Sequence, residues 1–209
     1  MNNRRQIIYV VDDDVSVCRS LKLLLKQHGF RVETFTSAKE FLAFKYPAQP
    51  SCLVLDVRMP EGISGLKLQE VMIDRQLLIP IVFITSFGTI TMSVKAMKAG
   101  AIDFIPKPFT EKRLLNAIEI AIFKNKTQIK EQREKTTIKE HINTLSPREL
   151  EVFRFVAQGM LNKQIASKRG TSIQTIKVHR GRVMYKMHAK NLIELIRFAQ
   201  KVGISTSKV

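Results

Sequence analysis

The segment from Ile7 to Asp14 reads IIYVVDDD, an apolar run that stops at three adjacent aspartates. An apolar run of this length is typical of a buried strand. Adjacent carboxylates repel one another and raise one another's pKa unless a positive charge relieves them or they point into water. The segment therefore predicts a buried strand that ends either in a cation-binding pocket or in a solvated turn.

Four more β-rich runs follow along the chain, with helical patterns between them. These runs are Arg31–Thr34, Cys52–Leu55, Ile81–Ile84 and Ile102–Ile105. Strands that alternate with helices predict an α/β domain, a doubly wound parallel sheet with helices on both faces. Sheets of this kind bind ligands beyond the carboxyl ends of their strands.

Polar side chains stand where the predicted strands end: Asp12 and Asp13 follow the first, Asp56 the third, Thr85 the fourth and Lys107 the fifth. In the strand order 2-1-3-4-5 these ends converge on one pocket. Carboxylates are preferred ligands of Mg²⁺, and a carboxylate is also a nucleophile toward a phosphoryl group. We therefore expect Mg²⁺ binding and phosphoryl transfer to Asp56, with Lys107 and Thr85 holding the phosphoryl oxygens.

Two other interpretations of these residues remain open. In the first, Asp12–Asp14 is only a charged turn and Asp56 a helix cap, but polar residues at four strand ends of one sheet edge favour the pocket. In the second, the chain is an aspartyl-phosphate hydrolase of the haloacid dehalogenase type. That chemistry needs a second aspartate two residues after the nucleophile, and Arg58 stands there.

Charge is distributed unevenly along the 209 residues. Residues 1–123 hold 16 Lys and Arg against 12 Asp and Glu, whereas residues 124–209 hold 19 against 6, which gives net charges of +4 and +13. This asymmetry predicts one nearly neutral domain and one domain that meets a polyanion. Nucleic acid is the leading candidate, and an acidic membrane surface is the weaker one.

The remaining composition is that of a cytoplasmic globular protein. No apolar run approaches the roughly 18 residues of a membrane span, and the N-terminus lacks the apolar core of a signal peptide, so we expect an unprocessed cytoplasmic chain. Cys18 and Cys52 belong to no CxxC pair. We expect both to be buried, reduced thiols.

Residues 124–143, KNKTQIKEQREKTTIKEHIN, are polar and contain neither Gly nor Pro. They predict a solvated linker helix that continues the last helix of the first domain. An apolar spacing of three and four residues runs into this segment, through Leu115, Ile118, Ile122, Asn125 and Ile129. It indicates either a weak coiled coil or, as we favour, the core-facing side of an ordinary helix.

A second domain, residues 144–209, begins at the sequence LSPRE, where Ser146 is a predicted N-cap, a proline follows, and Glu149 completes a capping box. Thr171 and Gln174 predict another capping box further on. Three more helices are expected, over roughly Asn162–Lys168, Ser172–Met187 and Asn191–Lys201. Four short helices predict a compact all-α domain.

The helix over Ser172–Met187 has two distinct faces. Ile176, Val183 and Met187 lie on one face, and the opposite face suits a DNA major groove. That opposite face carries Lys177, Val178, Gly181, Arg182 and Tyr185. The residues that we expect to contact DNA are Lys163, Thr175, Lys177, Val178, Arg180, Arg182 and Lys186.

The clustering of positive charges in this region is stronger evidence for DNA binding than any single charge. A single lysine is usually a solvated surface charge, but several on one element favour phosphate contacts. The cations with that expectation are Lys163, Lys168, Arg169, Lys186 and Lys190. His179 is expected to be packed and hydrogen-bonded at the edge of the core, and no carboxylate or cysteine cluster near it favours a zinc site.

Four motifs of the first domain carry a family resemblance: VVDDD at 10–14, LDVRMP at 55–60, FITSFG at 83–88 and MKAGAIDFIPKPF at 97–109. Through them, residues 1–123 resemble the receiver domain of bacterial response regulators. The resemblance implies that Asp56 is the phosphoacceptor. It also implies that Asp12 and Asp13 are the acidic pair, with the Asp56 carboxylate, the Arg58 carbonyl or both completing the Mg²⁺ site.

The same resemblance assigns a switch. Thr85 and Phe104 match the family's hydroxyl and aromatic switch positions, and the Lys107–Pro108 bond is expected to be cis. Two segments depart from the family pattern. The loop at 59–65, MPEGISG, carries one residue more than usual, and Ser86 stands where glycine or alanine is common.

Residues 145–166, LSPRELEVFRFVAQGMLNKQIA, and 175–187, TIKVHRGRVMYKM, resemble the LuxR-type helix-turn-helix domain. With the receiver attached, the chain resembles the NarL/FixJ class, closest to FixJ-like regulators, including the StyR and TodT type. This implies that Lys177 and Val178 face bases. Gly181 departs from a position that often carries a longer base reader. The last helix, near Ile193, Ile196 and Arg197, resembles a dimerisation surface.

The resemblance implies a two-component response regulator rather than an enzyme in the usual sense. A sensor histidine kinase phosphorylates Asp56, and the chain then dimerises and binds a double-stranded DNA operator to regulate transcription, with RNA polymerase as an expected partner. An alternative is a constitutive DNA-binding regulator whose receiver serves only for dimerisation. The expected organisation is a receiver at 1–123, a helical linker at 124–143 and a helix-turn-helix domain at 144–209.

Overall fold

All five residues of the first strand, β1 (Ile7–Val11), are buried, as an apolar run inside a sheet requires. The structure is a computed structural model that describes residues 6–59 and 62–204. It divides into two units, Met1–Lys130 and Glu131–Val209. The boundaries at 123/124 and 143/144 stay predictions, and Pro60 and Glu61 of the 59–65 loop lie outside the described residues.

The first unit contains a parallel sheet in the order β2-β1-β3-β4-β5. The other strands are β2 (Arg31–Phe35), β3 (Ser51–Asp56), β4 (Ile81–Thr85) and β5 (Asp103–Pro106). The predicted doubly wound sheet is therefore confirmed, although β5 begins and ends one residue later than its apolar pattern predicts. The helices are α1 (Val15–Gln27), α2 (Ala38–Ala43), α3 (Gly65–Asp74), α4 (Ile90–Lys98) and α5 (Glu111–Asn143).

The strands bury both of their faces. Ile8 and Val10 pack in one apolar cluster with residues of α1 and α5, whereas Ile7, Tyr9 and Val11 pack in another with residues of α2, α3 and α4. Removal of this much apolar surface from water contributes about 1.5–3 kcal/mol for each fully buried large side chain. The two clusters fix the sheet, and with it the positions of the strand ends.

Helix α5 lies against the sheet through the apolar spacing noted in the sequence. Ile118 and Ile122 are fully or nearly fully buried in the core, which supports the ordinary core-facing helix over the coiled coil. Asn125 follows them and is 2% exposed. Its side-chain oxygen accepts a hydrogen bond from the Ser51 backbone N–H at 2.8 Å, and its amide donates to the Leu78 carbonyl.

The second unit contains α6 (Pro147–Ala157), α7 (Asn162–Arg169), α8 (Ile173–Lys186) and α9 (Leu192–Lys201). Its apolar core also includes Ile138 from the end of α5. Ser146 and Glu149 form the predicted capping box. The other predicted box is wrong, because the Ser172 hydroxyl, not Thr171, caps α8 by accepting from the Thr175 N–H at 3.0 Å.

In the part of the chain that the structure describes, no helix has both the length and the apolar composition that a membrane span requires.

Candidate functional site

The strand ends predicted to converge do so around Lys107. In the sheet, Val11 pairs with Leu55, so the next residues of the two strands, Asp12 and Asp56, are neighbours. The Lys107 ammonium lies 2.8 Å from one Asp12 carboxylate oxygen and 3.1 Å from one Asp56 oxygen. The Lys107–Pro108 peptide bond is cis, as the resemblance implies.

Burial sets the electrostatics of this pocket. The Asp12 and Asp56 side chains are 2% and 8% exposed, and that of Lys107 is 21% exposed. Desolvation raises the pKa of Asp56, and the neighbouring Lys107 only partly offsets that rise. Burial acts to lower the pKa of Lys107, but its bonds to the two carboxylates raise it overall. One ammonium therefore leaves the pair of buried carboxylates incompletely compensated, a deficit that a further cation would relieve.

The three adjacent aspartates have different roles. Asp12 points into the pocket, where its second oxygen accepts a hydrogen bond from the Asp14 N–H at 3.0 Å. Asp13 is exposed. Asp14 is the N-cap of α1, accepting from the N–H groups of Ser16 and Val17. Asp12 thus lies in the pocket, whereas Asp13 and Asp14 lie in a solvated turn.

The predicted switch residues lie beside the pocket. Thr85 is 1% exposed, and its hydroxyl accepts a hydrogen bond from the Phe87 N–H at 3.2 Å. Phe104 is half-buried, with its ring centre 6.0 Å from that of Phe83. A Cβ added at Gly88 would lie 2.6 Å from the Phe104 ring and 3.0 Å from the Thr85 methyl group. The glycine backbone is therefore packed directly against both switch residues.

Three features near Asp56 were not predicted from the sequence. The Arg58 guanidinium lies over the Phe87 ring at 4.7 Å, so a cation–π contact joins the loops that follow β3 and β4. The Arg58 N–H also donates to Asp56 at 2.7 Å. A Cβ added at Gly65 would lie 2.2 Å from the Asp56 carbonyl oxygen. Residue spacing gives no signal for the cation–π contact. The close approach to the Asp56 carbonyl does have a signal, the glycine at the start of α3.

The predicted Mg²⁺ ligands fit a hard cation in their chemistry but are only partly assembled. Asp12 and Asp56 place buried carboxylate oxygens around one point, and oxygen donors are what Mg²⁺ requires. Asp13 does not join them as a third ligand. Within residues 6–59 and 62–204, no group of three or more His, Cys, Asp or Glu side chains has the geometry of a metal site.

The second candidate surface is the exposed face of α8. Ile176, Val183 and Met187 are at most 2% exposed, so the predicted inner face is correct. The predicted outer face is exposed, including Val178 at 46% and Tyr185 at 81%. Its members are Lys177, Val178, Gly181, Arg182 and Tyr185. No heavy atom lies within 4 Å of a Cβ added at Gly181, so space is open there.

Three of the predicted DNA contacts have partners inside the protein. The Lys186 ammonium lies 2.6 Å from Glu149 and 3.1 Å from the Thr144 carbonyl oxygen. The Arg180 guanidinium donates to the Asn162 side-chain oxygen at 2.9 Å. The Thr175 hydroxyl is 2.8 Å from that of Ser172.

Lys163 and Lys177 remain exposed on the surface of the second unit. His179 is half-buried as predicted, but the predicted hydrogen bond is not seen: its Nδ1 atom has no partner among the described residues.

Comparison with known proteins matches two families to two separate segments of the chain. The profile of the response regulator receiver domain family matches residues 8–119, and that of the bacterial regulatory proteins of the luxR family matches residues 143–199.

Similar full-length proteins are also known. Nodulation protein W of Bradyrhizobium diazoefficiens is 44% identical over 203 residues, covering 97% of this chain and 89% of its own length. Response regulator protein TodT of Pseudomonas putida is 42% identical over 202 residues, covering 97% and 88%. The low-resolution structure of the response regulator StyR superposes with a TM-score of 0.81 at 44% identity, covering 94% of this chain and 99% of that one.

Proposed function

The chain belongs to the response regulators in which a receiver domain precedes a LuxR-family DNA-binding domain, and from that membership we propose that a phosphoryl group on Asp56 controls its binding to DNA. Regulators of this kind control transcription. A histidine kinase as phosphodonor and DNA as target follow from the two domains. The residues that act, the metal, the dimer and the contact with RNA polymerase are parts of the proposal.

The observation that carries the proposal is the bridge of Lys107 between Asp12 and Asp56. An ammonium 3.1 Å from the Asp56 oxygen is placed to stabilise the negative charge of an incoming phosphoryl group. The Asp56 carboxylate is the attacking group, and Thr85 is the hydroxyl that holds a phosphoryl oxygen after transfer. Asp56 and Thr85 are the last residues of β3 and β4, and Lys107 comes directly after β5, so three neighbouring strands hold these residues.

Asp12, Asp13, Asp56 and the Arg58 carbonyl would hold the Mg²⁺ ion. Bound there, the ion would neutralise the oxygens of the phosphoryl group and offset the burial that raises the pKa of Asp56. Asp13 joins this set only by a change of its exposed side chain. The protein itself supplies orientation and exclusion of water, because the Asp12 and Asp56 side chains are almost completely buried.

On the DNA side, Lys177 and Val178 are proposed to face bases, with Arg182 beside them and Lys163 on phosphate. Thr175, Arg180 and Lys186 have internal partners, so we assign them first to the positioning of α8. The net charge of +13 over residues 124–209 supports a polyanionic partner.

Thr85 and Phe104 link phosphorylation of Asp56 to dimerisation. A phosphoryl group on Asp56 attracts the Thr85 hydroxyl, and the half-buried Phe104 ring moves into the vacated space, which changes the face formed by α4 and β5. A change of the active population from about 1% to about 99% needs roughly 5.5 kcal/mol of differential stabilisation. New phosphoryl contacts and a new dimer interface together supply it.

The test is phosphorylation and DNA binding on one preparation. With a small phosphodonor and Mg²⁺, mass spectrometry should find the acyl phosphate on Asp56, and Asp56→Ala should not be labelled. Beryllofluoride, a phosphoryl mimic, should raise the dimer fraction in sedimentation and the operator affinity together, and Thr85→Ala should lose most of that gain. A chain that is fully dimeric and binds DNA equally without the mimic would support the constitutive alternative instead.

A further inference from the structure

Two histidines of the second unit, which belong neither to the aspartate pocket nor to the outer face of α8, have neighbouring rings. The rings of His141 and His188 are 4.7 Å apart between centres and tilted by 48°. His141 lies in the last turn of α5, and His188 follows Met187, the C-cap of α8. The function proposed above uses neither side chain.

The separation of the two ring centres is one at which both imidazoles can bind the same ion. An imidazole nitrogen binds Zn²⁺ at about 2.0–2.1 Å, which places the ring centre about 3.2 Å from the metal. Two such rings, at any angle from a right angle to a tetrahedral one, have centres about 4.5–5.2 Å apart. The observed 4.7 Å lies within this range.

The surroundings favour a cation. The C-terminal end of a helix carries a partial negative charge, and the ends of α5 and α8 both lie at this pair. The Lys186 ammonium donates to the Thr144 carbonyl oxygen just after α5, at 3.1 Å. Its own charge is balanced by Glu149, 2.6 Å away.

The backbone of His188 has an unusual conformation. Its φ of 51° lies in the left-handed region, where glycine or asparagine usually ends a helix. The turn is held by hydrogen bonds from the His188 N–H to the Tyr185 carbonyl and from the Ala189 N–H to the Met184 carbonyl, both 3.1 Å. Asparagine or glycine would end the helix in the same way, but neither would place an imidazole beside that of His141.

We propose that His141 and His188 bind a divalent transition-metal ion of the zinc type, with water completing the coordination. Imidazole ligands select Zn²⁺, Ni²⁺ or Cu²⁺ over Mg²⁺, so this site is chemically separate from the aspartate pocket. No third His, Cys, Asp or Glu joins the pair among the described residues. The bound ion would fasten the C-terminal end of α8, the helix proposed to read DNA, to the end of α5.

The experiment is calorimetric titration of the full-length protein with Zn²⁺, in excess Mg²⁺ so that the aspartate pocket does not compete. We expect one Zn²⁺ per chain. Loss of even an outer partner of a metal site changes affinity about 10–100-fold, so His141→Ala and His188→Asn should each weaken binding at least about tenfold. His28→Ala removes a histidine of the first unit, which is hydrogen-bonded to Glu111, and should leave the titration unchanged.

A second readout identifies the ligands directly. Cu²⁺ in place of Zn²⁺ should show electron paramagnetic coupling to two imidazole nitrogens in the parent protein and to one in each variant. His188→Asn keeps a residue that tolerates the left-handed backbone, and His141→Gln serves if His141→Ala unfolds. Circular dichroism without metal checks that each variant is folded. Absence of zinc binding, or binding that either histidine variant leaves unchanged, would overturn the proposal.

Discussion

Asp56 and Lys177 are both charged and both central to the proposed switch, but they differ in burial and in ion pairing. The Asp56 side chain is 8% exposed and paired with Lys107. Lys177 is exposed and makes no ion pair within the described part of the chain. A buried charge must find its partner inside the protein, so its loss disturbs the fold. The proposed partner of the exposed Lys177 is DNA, so loss of this charge should weaken binding and leave the fold intact.

The largest effect that this comparison predicts is on Lys107. Lys107→Met should lower the free energy of unfolding by about 3 kcal/mol at neutral pH, because it leaves two buried carboxylates without their cation. Urea denaturation measures the loss. The loss of stability should shrink as the pH falls, since burial raises the pKa of Asp56 and the folded variant can take up a proton there that neutralises this carboxylate.

The matched control for Lys107 is Lys95→Met. Lys95 pairs with Glu70, but its side chain is 62% exposed, so solvent already screens the charge and stability should barely change. If both variants lost the same free energy of unfolding, buried and exposed ion pairs would not differ in their contribution to stability.

On the exposed surface, Lys177→Ala should leave the unfolding transition unchanged and cost about 1–3 kcal/mol in operator binding, with relaxed preference at one base. Binding assays on the operator and on single-base variants measure both effects. Lys163→Ala should weaken binding to all sequences alike and reduce the salt dependence. An unaltered preference in Lys177→Ala would mean that the helix face is misassigned.

Lys186 lies in the second unit, but like Lys107 it pairs with a buried carboxylate. It therefore sharpens the comparison. Lys186→Ala should lower the free energy of unfolding by about 1–2 kcal/mol, because the Glu149 carboxylate, 3% exposed, loses its partner. Its base preference in DNA-binding assays should stay as in the parent protein. A variant with intact stability but weaker DNA binding would return Lys186 to the set of phosphate contacts.

The same pair predicts a dependence on pH. The bond to Lys186 lowers the pKa of Glu149 to about 2, below the value of about 4.3 for an unfolded glutamate. A carboxyl group of this kind stabilises the fold above its unfolded pKa, and the contribution is lost as the pH falls from about 4 toward 2. Acid denaturation of Glu149→Gln should therefore begin from lower stability at neutral pH and lose less of it over this interval.

The smallest predicted effect concerns Arg58 and Phe87. A double-mutant cycle of Arg58→Ala and Phe87→Ala should give a coupling of about 0.5–1 kcal/mol in the free energy of unfolding, the usual size of an exposed cation–π contact. Arg58→Lys is the control, since it keeps the charge but loses the planar group that stacks on the ring. A coupling near zero would mean that the contact between Arg58 and Phe87 does not stabilise the fold.

The sequence was most informative where periodicity and burial act together. Apolar runs gave the strands of the sheet, and the polar residues just after them gave Asp12, Asp56, Thr85 and Lys107. These follow because the carboxyl ends of parallel strands must meet at one edge. The inner face of α8 followed in the same way from helical spacing.

Side-chain pairing was not predictable from spacing. Glu149 and Lys186 are 37 residues apart in sequence, and only the packed helices bring them together, so the sequence alone predicts a phosphate contact for Lys186. The Arg58–Phe87 contact is likewise made across two loops. At α8, two adjacent hydroxyl residues can each serve as the cap, and Ser172, whose backbone is extended, does so.

The close packing of Gly88 against Phe104 has a consequence for how this protein can change over generations. With 2.6 Å between an added Cβ and the ring, a larger residue at 88 fits only if the Phe104 ring moves. A mutation of Gly88 should therefore be tolerated more readily in a lineage where Phe104 has first become smaller. The order of the two substitutions is thus constrained, and descendants of this sequence should keep or lose the pair together.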